Sequence, residues 1–226
     1  MKKSKVIAVI PARNEQEHIS DVLRETKKHV DKVIVVDDAS FDKTGEIAKQ
    51  EGALVLRHIV NLGYGGALKT GCDAALLLGA DIVVILDADG QHDPKKIPSF
   101  VNTLTKNNLD VVFGQRELSK GMPLEKRFGN KFFQILSKYL FEIKLKDALC
   151  GFRAFTSDAY KKIRWNYSDY AMTFEMAVGT NNSKLKYAGI KIPTIDNNAY
   201  KGMTIIDGIK IMSKILKLKF RGKNGI

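Results

Sequence analysis

Ile82-Val-Val-Ile-Leu86 is an uninterrupted apolar run, mostly β-branched, that ends abruptly in Asp87-Ala-Asp89-Gly-Gln91-His92-Asp93-Pro94. A run of this length and composition reads as a strand buried on both faces, the kind found in the middle of a parallel sheet. Its carboxylates then fall at the C-terminal edge of the sheet, where open α/β sheets bind ligands. Two anions one residue apart are unfavourable there unless a cation offsets them. Mg²⁺ or Mn²⁺, bound by Asp87, Asp89 and the side-chain carbonyl of Gln91, is the natural candidate, because hard cations take oxygen ligands and keep positions open for phosphates. An aspartate-rich turn, with Asp93-Pro94 starting the next helix, accounts for the same residues without a metal.

The chain before this strand repeats one pattern. Val6-Ile-Ala-Val-Ile10 closes at Pro11 and is followed by Ile19, Val22, Leu23, Thr26 and Val30 at helical spacing. Val33-Ile-Val-Val36 ends at Asp37-Asp38 and leads through Ser40 and Asp42 into a helix carrying Ile47 and Ala48; Leu54-Val-Leu56 is a third strand. Asn61-Leu-Gly-Tyr-Gly-Gly-Ala-Leu68 then opens a helix whose small face runs through Gly71, Cys72 and Ala75. These glycines fit either a phosphate cradle or close helix-to-sheet packing, and packing with backbone proximity to a ligand is the favoured reading. Such alternation predicts a largely parallel α/β sheet, which gathers Glu15, Asp38, Asp87 and Asp89 towards one crevice.

The second half is less regular. Asp110 to Arg116 is a further strand, and 124–145 is an aromatic-rich basic helix suited to a core or to a membrane interface. Asp147 to Phe155 reads as a loop entering a strand and Asp158 to Ile163 as a short helix. Phe174-Glu175 begins another helix, and Lys184–Tyr187 and Ile190–Pro193 are the last strand candidates. In the stretch 204–221, Lys210, Lys214, Lys217 and Arg221 form a narrow stripe on an otherwise apolar helix. That predicts two parts, a domain over 1–203 and an amphipathic helix over 204–226 that lies on a membrane surface or pairs two copies of the chain.

Charge and cysteine content narrow the setting. The net charge of +12 attracts anions, and two distant cysteines give neither a disulfide framework nor a zinc pattern, so free thiols and a reducing compartment are expected. The apolar run after the basic start stops at Ile10, too short for a signal peptide or a spanning helix, so a cytoplasmic location, peripheral on the cytoplasmic face of a membrane, is expected.

Six motifs in order, Pro11-Ala-Arg-Asn-Glu15, Val36-Asp-Asp-Ala-Ser-x-Asp42-x-Thr44, Asn61 to Gly71, Asp87-Ala-Asp-Gly-Gln-His92, Gly114-Gln-Arg116 and Cys150-Gly-Phe-Arg-Ala154, resemble the family 2 glycosyltransferases of the GT-A fold. The likeness is greatest to their dolichyl-phosphate mannose and glucose synthase branch. The resemblance implies a Rossmann-like, mostly parallel sheet flanked by helices. It also implies inverting transfer from a nucleotide-sugar donor (GDP-mannose, UDP-glucose or UDP-N-acetylhexosamine) to a polyprenyl phosphate, with a divalent metal. Pro11, Arg13, Glu15, Val36 and Asp38 would hold the nucleoside, with Asp38 reaching the base. Asp87, Ala88, Asp89 and Gln91 would flank metal and diphosphate, Arg116 and Arg127 would engage phosphates, and Lys201 would lie in a late loop closing over the donor. Arg13 replaces an aromatic residue frequent in the family, and Lys191 stands where an acidic residue is common.

Chemistry separates the acceptors. A saccharide hydroxyl needs a general base, for which Glu175 is the candidate, whereas a phosphate monoester with a second pKa of about 6 is already ionised. A saccharide or protein acceptor is therefore the alternative within enzymes. Outside them, a nucleic-acid-binding module fits the basic charge but not the dispersed lysines or the acidic crevice, so no nucleic-acid partner is expected.

Overall fold

The computed structural model describes residues 4–116, 145, 147–193, 195 and 214. The expected helix over 124–145 apart from Leu145, with Arg127, and Lys201 and the stretch 204–226 apart from Lys214 lie outside them.

Strands β1 (Val6–Ala12), β2 (Lys32–Asp37), β3 (Leu54–Arg57), β4 (Ile82–Ile85), β5 (Val111–Arg116), β6 (Arg153–Thr156) and β7 (Tyr187–Ile192) form one sheet in the order β3-β2-β1-β4-β6-β5-β7. Its pairs are parallel except where β6 runs antiparallel between β4 and β5. The helices are α1 (Ile19–Thr26), α2 (Thr44–Gln50), α3 (Tyr64–Leu77), α4 (Ile97–Lys106, after a 3₁₀ turn at Pro94–Lys96), α5 (Ser157–Ile163) and α6 (Ala171–Asn182).

Alternation along β1 divides the core. Ala8 and Ile10 point to the face covered by Ile19 and Leu23 of α1 and Phe100 and Leu104 of α4, while Ile7 and Val9 join Leu68 and Cys72 of α3 and Phe174 and Met176 of α6. With both faces covered, β1 and β4 are apolar at every position, apart from the imino acid Pro11 at the end of β1. A Cβ on Gly71 would lie 2.3 Å from Val9 Cγ1 and 2.9 Å from Val36 Cγ2, so glycine lets α3 lie directly on β1 and β2. Packing is thus the role of this glycine, as expected.

Three local expectations shift. Helix α1 ends at Thr26, and Val30 packs from the turn that follows, because Asp31 has to begin the sheet: its N–H donates to the Val6 carbonyl and its carboxylate accepts from the Val6 N–H. The two strand candidates near 184–193 are one strand, in which Gly189 makes room for Gln115; a Cβ there would fall 2.0 Å from Gln115 Nε2. Helix α6 starts at Ala171, which places Glu175 in its interior. Cys72 and Cys150 are free and buried, and burial pushes the Cys150 thiol up to about 12. Among the described residues no helix is long and apolar enough to cross a membrane.

The reversed strand matters most for the site. Because β6 is antiparallel, Arg153 at its start pairs with Ile85 at the end of β4 and Phe113 in β5. The loop ahead of β6 therefore joins the C-terminal edge of the parallel strands.

Candidate active site

Three loops from the adjacent parallel strands β1, β2 and β3 make one side of the edge. Asn14 N–H donates to Ser40 Oγ (3.1 Å), Glu15 N–H to Thr44 Oγ1 (2.8 Å) and Gln16 N–H to Asp42 Oδ2 (3.2 Å). The Ser, Asp and Thr of the second motif thus hold the backbone of the first. Pro11 pairs with Val36 in the sheet, while Arg13 projects exposed beyond it. Asp37 accepts from Ser40 N–H and lies 3.5 Å from Arg57 Nη1, a structural role.

Asp38 is buried and faces the glycine turn. Its Oδ1 lies 2.7 Å from His58 Nδ1 and accepts from Leu62 N–H (2.8 Å), and its Oδ2 accepts from Gly63 N–H (2.8 Å). Gly63 has φ +84°, and a Cβ on it would lie 2.6 Å from the Ser168 carbonyl, so only glycine fits. The Gly66 N–H donates to that same carbonyl. Donors that a phosphate cradle would have used are therefore spent on protein oxygens.

The acidic pair occupies the centre. Asp87 Oδ1 accepts from the Tyr64 hydroxyl (2.8 Å), and Asp87 Oδ2 lies 3.4 Å from His92 Nε2. Asp89 Oδ1 accepts from Gln91 N–H (3.0 Å). Burial raises the Asp89 carboxyl above its ordinary value, and the charges of Asp87 and, more weakly, Glu15 add to this. Burial also acts against Asp87, but His92, Tyr64 and the positive charge of Arg116 outweigh it and hold that carboxyl below the usual range. Ala88 between them is buried. Glu15, Asp87 and His92 accordingly lie within electrostatic reach of Asp89. The Ile195 N–H donates to the Gln91 carbonyl (3.2 Å), so the chain after β7 returns to this edge.

Hard oxygen donors and a surplus of negative charge fit a divalent cation. Among the described residues no three carboxylate, thiol or imidazole side chains are grouped as a cage. Asp87 and Asp89 would therefore supply only part of a coordination shell, the arrangement suited to a cation that completes it with water and substrate phosphate.

Arg116 ends β5 and is clamped by Asp147, which accepts from its Nε at 2.7 Å and its Nη2 at 3.2 Å. Burial opposes the charge on Asp147, but Arg116 overcomes this and lowers its pKa. This role of Asp147 is not legible in the sequence, because the pairing depends on β6 being reversed. Arg153, fully buried, fixes the same loop by donating to the carbonyls of Cys150, Thr173 and Ala148.

Glu175 is buried in α6 and engaged through both oxygens. Oε2 accepts from the N–H groups of Asn166 and Tyr167, each at 2.9 Å, and Oε1 from Asn166 Nδ2 at 2.9 Å. The loop so held supplies Ser168 to the glycine turn, and Trp165 Nε1 donates to the Gly65 carbonyl. Lys214, from the expected basic stripe, is ion-paired with Asp169 and lies over the Tyr167 ring. Glu175→Ala is expected to destabilise the protein by about 1–3 kcal/mol, since three part-buried hydrogen bonds to Asn166 and Tyr167 are lost. Turnover of the folded enzyme should stay within about threefold, whereas loss of a base would cost about 10²–10⁴; melting temperature and kcat measured together separate the two.

Residues 7–164 match the model of glycosyl transferase family 2. An uncharacterized protein of Methanocaldococcus jannaschii is 37% identical, over 96% of this chain and 93% of its own length. The UDP-N-acetylglucosamine–dolichyl-phosphate N-acetylglucosaminyltransferase of Methanococcus voltae is 30% identical over 95% of this chain and 96% of its own. Glucosyl-3-phosphoglycerate synthase from Mycobacterium tuberculosis, solved with Mn²⁺, UDP and glucosyl-3-phosphoglycerate, superposes with a TM-score of 0.77 at 20% identity, covering 99% of this chain and 81% of that one. The architecture is the GT-A fold.

Proposed function

The chain belongs to glycosyl transferase family 2, and we propose that it moves a sugar from a nucleotide-diphosphate sugar to a polyprenyl phosphate, with inversion at the anomeric carbon. The Methanococcus voltae relative acts on dolichyl phosphate and carries UDP-N-acetylglucosamine in its name, which makes a UDP-sugar the favoured donor. One observation carries the choice of acceptor: Glu175, the carboxylate a saccharide hydroxyl would need as base, is committed to the loop at 166–167. A phosphate acceptor needs no base, being ionised already.

Pro11, Arg13, Glu15 and Val36 would line the nucleoside site. Asp38 would read the base, since a carboxylate has about four acceptor positions and three are used internally. Asp87, Asp89 and Gln91 would hold Mg²⁺ or Mn²⁺ beside the diphosphate, with Ala88 against it. When bound, that cation supplies compensation for the charge that builds on the leaving diphosphate. Arg116, aligned by Asp147, would hold phosphate oxygens next to the anionic donor, and Arg127 and Lys201 would add to this. The acceptor places the enzyme peripherally on the cytoplasmic face of a membrane, with the basic stretch at 204–226 attaching it there or pairing two copies.

A thermal-shift panel of UDP- and GDP-sugars with and without Mn²⁺, followed by nucleotide release on adding undecaprenyl phosphate in detergent, tests the proposal. A metal-dependent stabilisation by one donor class is expected, with release stimulated by the lipid phosphate. Release stimulated by saccharides and indifferent to lipid phosphate would overturn it.

A further inference from the structure

Tyr64 lies in the third motif, to which no chemistry has been attached. We propose that Tyr64 is a positioning residue that sets the Asp87 carboxylate for the divalent cation and fixes its distance from the nucleoside site. The inference rests on the metal-dependent reading above and deepens it.

The geometry is specific. The Tyr64 hydroxyl meets Asp87 Oδ1 at 2.8 Å, while His92 Nε2 faces Asp87 Oδ2 at 3.4 Å. The carboxylate is thus approached on both oxygens and cannot rotate without losing one neighbour. The phenol ring stacks on Tyr170, with centroids 4.7 Å apart and planes 18° apart. Tyr170 belongs to the loop whose neighbours Asn166 and Tyr167 are held by Glu175. A second feature joins the two halves of the site: Gly63, the residue immediately before Tyr64, donates its N–H to Asp38 Oδ2. Adjacent residues therefore grip the carboxylates at the ends of β2 and β4, two strands separated in the sheet by β1. Nucleoside and cation would be registered to one another by a single turn of backbone.

Such groups, one step removed from a metal, typically change affinity by about 10–100-fold when lost. Tyr64→Phe removes the hydroxyl and keeps the stacked ring. Mn²⁺ binding is followed by electron paramagnetic resonance titration, with saturating UDP and, in parallel, GDP; nucleotide binding without metal is measured calorimetrically. For Y64F the Mn²⁺ dissociation constant should rise about tenfold or more, with metal-free nucleotide affinity within about twofold of wild type. Tyr170→Phe, which preserves the stack and Tyr64 itself, should bind Mn²⁺ as wild type does. Equal Mn²⁺ affinity in Y64F and wild type would overturn the positioning role alone. Parallel losses of Mn²⁺ and metal-free nucleotide affinity would also overturn it, marking a structural role. A wild-type protein that binds no Mn²⁺ with either nucleotide would instead overturn the metal-dependent reading itself, and this inference with it.

Discussion

Asp89→Asn is expected to lower kcat/KM for sugar transfer by about a thousandfold, the scale seen when a group stabilising charge in the transition state is lost. It should do so while making the metal-free protein more stable. Burial and the neighbouring charge of Asp87 raise the Asp89 carboxyl, so its ionised form is disfavoured by folding. A carboxyl whose folded pKa lies above its unfolded one costs stability at neutral pH; the cost shrinks as pH falls below the raised value and is gone below the unfolded one. Asparagine removes that cost at every pH. In EDTA at pH 7 the variant should melt higher, by about 2–4 °C for each kcal/mol recovered, and near pH 3 the difference should vanish. A site kept at some expense to the empty fold is what a cation-dependent enzyme requires. Transfer within about tenfold of wild type would remove Asp89 from the metal site, and a lower melting temperature in EDTA would show its charge to be compensated within the protein.

Much of this arrangement was legible in the sequence, because the signals involved are local. An apolar run ending in carboxylates states where a strand stops, and strand-helix alternation fixes the side on which successive strands stop. Asp38, Asp87 and Asp89 follow from those two facts together. What escaped were pairings between distant residues of ordinary type. Tyr64 reads as one more ring at the start of a helix, and only the packing of α3 on β1 and β2 carries its hydroxyl to Asp87. Asp147 and Arg153 acquire their roles from a strand that runs against its neighbours, and nothing in the short apolar stretch Ala154-Phe155 indicates direction. The place of Glu175 in its helix escaped for a related reason. The helix begins at Ala171, earlier than its apolar pattern suggests, so the carboxylate falls in a buried helix interior and accepts from the loop at 166–167.

The reversed strand also yields the most demanding substitution. A Cβ on Gly151 would lie 2.4 Å from Asp87 Oδ2, 2.9 Å from Asp87 Cγ and 2.8 Å from the Tyr64 hydroxyl, so one side must move. The loop carrying Gly151 cannot yield easily, because the buried Arg153 guanidinium, two residues after it, holds the carbonyls of Ala148 and Cys150 just ahead of it. Asp87 is a side chain with rotatable bonds, and it is the one that gives way. Gly151→Ala should therefore cost about 1–3 kcal/mol of strain, as small-to-large changes in packed sites do. About 0.4–1 kcal/mol of this is offset by the reduced freedom of the unfolded chain, since Gly151 is not among the glycines with positive φ. Catalysis should suffer far more than folding. A carboxylate displaced by about an ångström costs about a hundredfold in rate, and the Mn²⁺ concentration for half-maximal activity should rise in step. The matched control is Gly52→Ala, where φ is +79° but no atom lies within 4 Å of the added Cβ; it should lose stability with kcat/KM unchanged. If Gly151→Ala retains wild-type activity and metal requirement, the carboxylate of Asp87 does not need the position it holds between Tyr64, His92 and the reversed strand, and the cation must be bound elsewhere.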